Sequence, residues 1–342
     1  MIKPKKIGIL TAGGDCPGLN AAIRGIGKTA ILEYGMEVIG FVSGYTGLLH
    51  KEYVTLKEEM LSGILTMGGT ILGTSREKPF KISQNDGNIN KPELIKQNYQ
   101  ELGLDCLVCI GGNGTMKTAA KIGELGLNVI GIPKTIDNDV YGTDITFGFD
   151  SAVAIATEAI DRLHTTANSH QRAMVIELMG HDAGWISLYA GMAGGGDVIL
   201  IPEIPYNIKS VCKTIEDRFI NKKAYSIVVV AEGVKVPEGY TVAGYISHCI
   251  STYTSVEARE TRLGYVQRGG SPTASDRILA TRYGSFAVEA IAREEYGIMI
   301  AIQDNHIVNV PLSVVEGKLK LVTEDNPLVI KCRNMGVSFG DE

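Results

Sequence analysis

Short apolar runs alternate with longer amphipathic stretches along the whole chain of 342 residues. The runs are continuous and rich in β-branched residues, as expected for strands that are buried on both faces of a sheet. Strands that alternate with helices in this way predict a doubly wound α/β fold. The predicted strands are 6–10, 37–42, 104–110, 128–132, 173–178, 197–201, 225–231 and 297–302, and the predicted helices are 19–34, 91–102, 116–125, 152–167, 208–222 and 276–295.

The length of the chain predicts two lobes of the same architecture, because a single core rarely grows to this size. No linker rich in proline or serine divides them. A new βα series begins after Tyr141, so we place a crossover near Gly148. The final residues, 331–342, are mixed and polar, and we expect them to be peripheral.

The composition excludes several classes of protein. Apolar residues make up 44% of the chain and charged residues 21%, so the chain can bury a core and is not disordered. The balance of 33 basic against 38 acidic residues argues against nucleic acid as a partner. No apolar run approaches the roughly 20 residues of a membrane span. Six irregularly spaced cysteines and the lack of a signal-peptide pattern predict a cytoplasmic protein with reduced thiols.

Glycine is the outlier in this composition, with 41 residues, or about 12% of the chain against an average near 7%. Gly13 and Gly14 follow the first predicted strand, and Gly111, Gly112 and Gly114 follow the third. Glycine lets backbone N–H groups approach phosphate oxygens at the carboxyl ends of parallel strands, where the ligands of open sheets bind. We therefore expect a phosphate site, and an ordinary glycine-rich turn is the alternative.

A hydroxyl and two carboxylates follow the predicted strand at 128–132, as Thr135, Asp137 and Asp139. Such a cluster can hold a metal ion or remove a proton. A general base beside a phosphate site suits phosphoryl transfer, in which the acceptor hydroxyl must be oriented and deprotonated. The alternative is a turn whose acidic tip is solvated.

Arginines beside Gly, Ser or His residues supply the complementary charge, because the forked guanidinium group matches phosphate oxygens. They are Arg76, Arg172, Arg259 and Arg262. Any one of them would usually be a surface salt-bridge partner, but four in such settings favour an anionic substrate. The segment 179–181 is a weaker signal, since a methionine after an apolar strand usually belongs to the core.

Together these segments resemble the 6-phosphofructokinase family over about residues 6–310, in the correct order throughout. The landmarks are TAGGDCPGLN at 11–20, GY at 44–45, GTSR at 73–76, GGNGT at 111–115, PKTIDND at 133–139, SHQR at 169–172, MG at 179–180 and QRGGSP at 267–272. The resemblance implies two doubly wound α/β lobes with the active site in the cleft between them. It further implies a donor-binding lobe of residues 1–148 and 267–317 and a sugar-phosphate-binding lobe of residues 149–266 and 318–342.

The resemblance also implies an activity, the transfer of a phosphoryl group from ATP to the 1-hydroxyl of fructose 6-phosphate with Mg²⁺. Asp137 would be the general base, and Thr135 and His181 would act beside it. The donor site would be lined by Gly14, Tyr45, Arg76, Gly111, Gly112, Gly114 and Thr115. The sugar phosphate would be held by Thr135, Asp137, Asp139, Met179, Gly180, His181, Glu232, Tyr265 and Arg268, and Mg²⁺ by Asn113 and Asp139.

In the family, arginines at the positions of Arg172 and Arg259 reach the sugar phosphate from a neighbouring subunit. The resemblance therefore implies a homotetramer or homodimer with shared active sites. Fructose 6-phosphate and ATP are the expected small-molecule partners, with pyrophosphate as the alternative donor.

The choice of donor depends on two positions. Gly114 favours ATP, because an aspartate there, as in many pyrophosphate-using relatives, would crowd and repel the α-phosphate. Lys134 is typical of pyrophosphate enzymes, so a pyrophosphate-dependent phosphofructokinase is the alternative.

Three departures from the family pattern leave a third possibility, a weakly catalytic sugar-phosphate-binding regulatory paralogue. Asn113 replaces an acidic residue, His181 replaces an arginine, and Tyr265 replaces a histidine.

Overall fold

The computed structural model describes residues 4–81 and 90–341. Its strands are β1 (Lys6–Thr11), β2 (Glu37–Phe41), β3 (Tyr53–Thr55), β4 (Cys106–Gly111), β5 (Val129–Thr135), β6 (Phe147–Gly148), β7 (Ala173–Leu178), β8 (Val198–Leu200), β9 (Ser226–Ala231), β10 (Ala258–Arg262), β11 (Ile298–Gln303) and β12 (His306–Pro311). Its helices are α1 (Leu19–Leu32), α2 (Tyr45–His50), α3 (Lys91–Glu101), α4 (Asn113–Glu124), α5 (Phe149–His170), α6 (Trp185–Ala193), α7 (Ile208–Ile220), α8 (Val242–Tyr253), α9 (Ala274–Ala292), α10 (Leu312–Val315) and α11 (Pro327–Asn334). The alternation confirms the predicted α/β class. Among the helices of these two ranges, none is both long and apolar enough to cross a bilayer.

The first of two compact units comprises Met1–Thr135, Val140–Gly148 and Arg268–Leu319. Its described strands form one sheet in the order β12-β11-β5-β4-β1-β2-β3, with β6 paired to β5. The edge strands β3 and β12 are antiparallel to their neighbours, and the strands between them are parallel. The chain crosses from β1 to β2 on one side and from β4 to β5 on the other. The neighbours β1 and β4 therefore form a switch point, where open α/β sheets bind ligands.

The central strands of this sheet are apolar on both faces, which is why the sequence predicted them. All six residues of β4 are buried, as are five of the six in β1. Gly18 then starts α1 with a φ of 106°, and a Cβ on it would lie 2.8 Å from the ring of Phe147. Because only glycine makes this turn without strain, α1 begins immediately after the loop that follows β1.

The second unit comprises Ile136–Asp139, Phe149–Gln267 and Lys320–Glu342. Its described strands are all parallel, in the order β10-β7-β9-β8. The neighbours β7 and β9 pair along their whole length and end together, with Leu178 opposite Ala231. The segments that follow these two strands therefore emerge side by side at one edge of the sheet.

The units differ from the predicted lobes in one internal segment and at two boundaries. At the boundaries, Gln267 belongs to the second unit, and Lys318 and Leu319 belong to the first. The prediction assigned all of residues 1–148 to the first lobe, whereas Ile136–Asp139 belongs to the second unit. The backbone N–H of Lys320 donates a 2.8 Å hydrogen bond to the carbonyl of Asp139, which ties this segment to the C-terminal part of the second unit.

The prediction that residues 331–342 are peripheral is wrong for part of this segment, whose last residue, Glu342, lies outside the described residues. Cys332 and Phe339 are fully or almost fully buried, and the carbonyl of Ser338 accepts a 2.9 Å hydrogen bond from the backbone N–H of Ile199 in β8. The local composition is polar, but the burial of these side chains depends on a strand far earlier in the chain.

All six cysteines of the sequence are buried as free thiols. Burial raises the pKa of the Cys16 and Cys109 thiols to about 12, so the thiolate that alkylation requires is scarce at neutral pH. We expect iodoacetamide to modify less than about one thiol per native chain and all six after unfolding in guanidinium chloride. Intact-mass spectrometry counts the adducts, and fast modification of several thiols in the native protein would contradict the burial.

Candidate active site

The glycine loop that follows β1 is closed by the segment before Arg76. The backbone N–H of Gly13 donates to the carbonyl of Ser75 at 2.9 Å, and Thr74 Oγ1 donates to the carbonyl of Gly13 at 2.7 Å. Arg76 comes next in the chain and its side chain is exposed. The arrangement therefore places an exposed guanidinium group beside the β1 loop.

The second glycine loop, at the end of β4, is shorter than predicted. The helix α4 begins at Asn113 rather than at residue 116, with Gly112 as its N-cap, so Gly114 and Thr115 belong to its first turn. The first N–H groups of a helix and its dipole together favour an anion. A Cβ on Gly111 would overlap Thr115 Oγ1, whereas a Cβ on Gly114 would meet nothing within 4 Å. Position 111 therefore requires glycine for packing, and position 114 is open.

Two of the predicted donor-site residues support these loops from the interior. Tyr45 is 1% exposed, and its hydroxyl donates to the carbonyl of Thr115 at 3.3 Å. Burial raises the pKa of Tyr45 well above its ordinary value, so the hydroxyl remains a neutral donor. Thr115 is also buried, and its Oγ1 donates to the carbonyl of Ala12 at 3.5 Å. Both side chains position the loops and do not face solvent.

Lys134 and Arg268 bring positive charge to the β1 loop. Lys134 is buried in β5, and its ammonium group donates to the carbonyl of Gly14. The guanidinium group of Arg268 packs so closely against Gly14 that a Cβ there would overlap Nη1. The sequence predicted Arg268 as a sugar-phosphate residue. The structure places it in the first unit, against the predicted donor loop.

Thr135 ends β5 next to the second glycine loop. A Cβ on Gly112 would lie 3.8 Å from Thr135 Cβ, and the carbonyl of Thr135 accepts a 2.8 Å hydrogen bond from Thr146 Oγ1. The first unit therefore brings Thr135, which was predicted for catalysis and the sugar phosphate, to the same edge of the sheet as most of the predicted donor-site residues: Gly14, Gly111, Gly112, Gly114 and Thr115.

The acidic loop, Ile136–Asp139, opens the second unit. Asp137 and Asp139 are half-buried, and Asn138 between them is 3% exposed with a left-handed φ of 52°. Burial raises the pKa of Asp139 to about 6. The charge of Asp137 adds to this rise, while His181 and Lys320 oppose it. A pair of carboxylates in such a setting can move a proton or bind a hard cation.

The loop that follows β7 is shaped by the residue that follows β9. Glu232 Oε1 accepts hydrogen bonds from the backbone N–H groups of Gly180 at 3.3 Å and of His181 at 3.0 Å. His181 adopts a φ of 52°, and its Nδ1 lies 2.9 Å from Asp182 Oδ2, with both side chains exposed. Met179 is 8% exposed, so its side chain belongs to the core. These contacts present the His181 ring to solvent at the edge of the sheet.

One carboxylate holds the two predicted intersubunit arginines. Arg172 Nε donates to Glu257 Oε2 at 2.6 Å, and Arg259 contacts Glu257 Oε1. The hydrogen bond from Arg172, reinforced by both positive charges, lowers the pKa of Glu257. The side chains of Arg172 and Arg259 are 29% and 57% exposed, so both remain accessible.

The sequence did not point to every residue around the acidic loop. Lys320 contacts Asn138 and Asp139 from the C-terminal segment, where no motif marks it. Trp185 donates to the Lys320 carbonyl, and its being the single tryptophan of the chain was the one available signal. Tyr265 is 74% exposed in the second unit, so its side chain is accessible, as its predicted role requires.

Glycine loops at a switch point, the N-terminus of α4 and an acidic loop are typical of a phosphoryl-transfer enzyme with an α/β fold. The phosphofructokinase family model matches residues 6–291, and the chain belongs to that family, as the resemblance predicted.

Two curated relatives match the chain over nearly its whole length. The ATP-dependent 6-phosphofructokinase 3 of Bacteroides thetaiotaomicron is 62% identical over 98% of this chain and 100% of its own. The ATP-dependent 6-phosphofructokinase of Spirochaeta thermophila is 52% identical over 98% of each chain. The crystal structure of Pichia pastoris phosphofructokinase in the T-state superposes with a TM-score of 0.84 and 34% identity, over 92% of this chain and 36% of that chain. This chain thus spans little more than a third of the Pichia chain.

Proposed function

We propose that this chain transfers a phosphoryl group from ATP to the 1-hydroxyl of fructose 6-phosphate. Its membership of the phosphofructokinase family and its similarity to two ATP-dependent 6-phosphofructokinases support this activity. The observation that carries the choice of ATP is the open space at Gly114, in the first turn of α4. A donor phosphate at this helix N-terminus can continue into a nucleoside without meeting a side chain at position 114.

Asp137 is the general base in this proposal. It takes the proton of the 1-hydroxyl while Thr135, two residues earlier, orients the transferring phosphoryl group. His181 stands where the family pattern has an arginine, and in this proposal its ring stabilises the charge on that group. The 2.9 Å contact with Asp182 orients the ring for this role.

Mg²⁺ fits the chemistry of the acidic loop. Among residues 4–81 and 90–341, no three His, Cys, Asp or Glu side chains form a metal cluster. Mg²⁺ in kinase sites is usually held by one or two carboxylates together with the donor phosphates, so no such cluster is needed. Asp139 would hold the ion through a carboxylate oxygen, and the predicted second ligand, Asn113, offers a neutral amide oxygen. When bound, the ion neutralises charge on the phosphates.

The sugar phosphate is bound by the loop after β7 and by an arginine pair from a second copy of the chain. Gly180 and His181 contribute at the edge of the β7–β9 pair, where Glu232 holds their backbone. Arg172 and Arg259, both held by Glu257, reach the sugar phosphate that a neighbouring subunit binds, since guanidinium groups match phosphate oxygens. The protein is therefore a homo-oligomer whose active sites are shared.

Subunit complementation tests the shared site. Inactive Asp137→Ala and Arg259→Ala chains are co-expressed. If equal amounts of the two chains pair at random, half of the pairs contain one chain of each kind. Each such pair has two shared sites, of which one contains both native residues and the other contains neither. We expect about a quarter of wild-type activity to return.

The control mixes Asp137→Ala with His181→Ala, because both residues come from the same subunit and no native site can form. Failure of the first mixture to regain activity, with mixed oligomers shown by native mass spectrometry, would contradict the shared site.

Initial rates with fructose 6-phosphate and Mg²⁺, comparing ATP with pyrophosphate, test the activity itself. Turnover with ATP supports the proposal. Turnover only with pyrophosphate would show that Lys134, and not Gly114, indicates the phosphoryl donor. Binding of fructose 6-phosphate without turnover from either donor would favour a regulatory paralogue.

Six buried free thiols agree with action in the reducing cytoplasm.

A further inference from the structure

A lysine far from the motifs contacts the acidic loop twice. The backbone N–H of Lys320 donates to the carbonyl of Asp139 at 2.8 Å, and its Nζ donates to Asn138 Oδ1 at 3.0 Å. Lys320 opens the C-terminal segment of the second unit, and it is half-buried. A single residue therefore holds both the backbone and a side chain of this loop.

Lys320 is itself held on its other side by Trp185. The indole N–H donates to the carbonyl of Lys320 at 2.8 Å, and Lys320 Nζ lies 5.4 Å from the centre of the indole ring. Glu203 fixes the same region, because its carboxylate accepts from the backbone N–H groups of Gly184 at 2.9 Å and Val322 at 3.0 Å. The lysine thus lies between the start of α6 and the acidic loop with little freedom to move.

Asn138, which accepts the hydrogen bond from Lys320 Nζ, has an uncommon backbone conformation. Asn138 has a φ of 52°, a left-handed conformation that asparagine tolerates better than most residues but that still requires support from its surroundings. It is also buried, so its side-chain oxygen needs a donor. Because Asp137 and Asp139 flank Asn138 directly, the orientation of this one residue sets the direction of both carboxylates.

We propose that Lys320 is a positioning residue for catalysis: its ammonium group, stacked on Trp185, clamps Asn138 and so aims Asp137 and Asp139 at the reacting phosphoryl group. The inference rests on the proposed roles of these two aspartates. Lys320 acts through the loop and touches no reacting atom. Its loss therefore misaligns the base without removing the binding groups of the sugar phosphate.

Steady-state kinetics of Lys320→Met test the clamp. We expect kcat to fall about 10- to 100-fold, with the KM for fructose 6-phosphate changed less than about 3-fold, because misplacing a base by a fraction of an ångström costs turnover more than binding. Lys320→Arg keeps a donor and a stacking cation, so it regains most of the lost kcat. The matched control is Lys318→Met, which removes a similar cation from the ring of Tyr141, 4.9 Å away, and leaves kcat unchanged.

A second background separates the clamp from a general loss of stability. Asn138→Gly adopts the same φ without strain and removes the gripped oxygen, so Lys320→Met should lower kcat less than about 3-fold in that background. Fluorescence of Trp185, the single tryptophan, should change in Lys320→Met and not in Lys318→Met.

Each unfavourable result has a distinct meaning. Wild-type kcat in Lys320→Met, or an undiminished loss in the Asn138→Gly background, overturns the clamp while leaving the proposed activity intact. Unchanged Trp185 emission in Lys320→Met also overturns it. Full activity of an Asp137→Asn variant would instead remove the role of Asp137 on which the clamp rests, and a wild-type chain that does not turn over fructose 6-phosphate with ATP would overturn the proposed function.

Discussion

Replacing Asp137 with asparagine is expected to lower kcat about 1,000-fold and to leave the KM for fructose 6-phosphate within about 3-fold of wild type. General-base catalysis contributes about 100- to 10,000-fold, and an amide of the same shape cannot accept the hydroxyl proton. The half-buried side chain keeps its volume, so the acidic loop should retain its conformation. Initial rates at saturating ATP and fructose 6-phosphate measure the effect.

Asp161→Asn is the matched control for this substitution. Asp161 is an exposed carboxylate on α5 in the same unit, so the change removes a negative charge from the second unit without touching the acidic loop. Its kcat should equal that of the wild type. An Asp137→Asn enzyme that retains kcat within about 3-fold would show that another group takes the proton.

The parts of the fold that the sequence predicted are those that local patterns determine. The strands β1, β4 and β5 are continuous apolar runs, and the glycines that follow β1 and β4 are adjacent to them in the chain. The structure confirms the α/β class, and it brings Gly14, Gly111 and Gly112 to the ends of these strands. Among the elements that the prediction omitted, β10 has a mixed, mostly charged sequence, and α6 is a short and nearly continuous apolar run without helical periodicity. Their positions depend on neighbours that are distant in the sequence.

Motif position could not indicate which way a side chain faces. Tyr45 lies in the expected motif but is buried beneath the glycine loops, where its hydroxyl donates to the carbonyl of Thr115. Arg268 lies in a motif predicted for the sugar phosphate, and its guanidinium group packs on Gly14, a contact that the motif did not indicate. The contact of Lys320 with Asn138 joins residues 182 positions apart, and no local pattern encodes such a pair.

A substitution at Gly114 tests whether the donor phosphates lie at the N-terminus of α4. We expect Gly114→Asp to lower kcat/KM for ATP about 100- to 1,000-fold, equivalent to about 3–4 kcal/mol, because a fixed carboxylate would face the donor phosphates. The fold should not suffer, since a Cβ at this position meets nothing within 4 Å. An acidic residue in the first turn of α4, which has none, should even stabilise the helix slightly. Activity and thermal stability are therefore expected to move in opposite directions.

Gly114→Asn and Gly114→Ala separate the causes of this effect. Asparagine adds nearly the same volume without charge, so a loss of about 10-fold in kcat/KM for ATP would measure crowding alone, and the further loss in Gly114→Asp would measure repulsion. Alanine adds only the Cβ and should retain ATP turnover within about 3-fold. If Gly114→Asp used ATP as well as the wild type and its melting temperature were unchanged, the donor phosphates would not lie at the N-terminus of α4, and the argument for ATP from the open space at position 114 would fail.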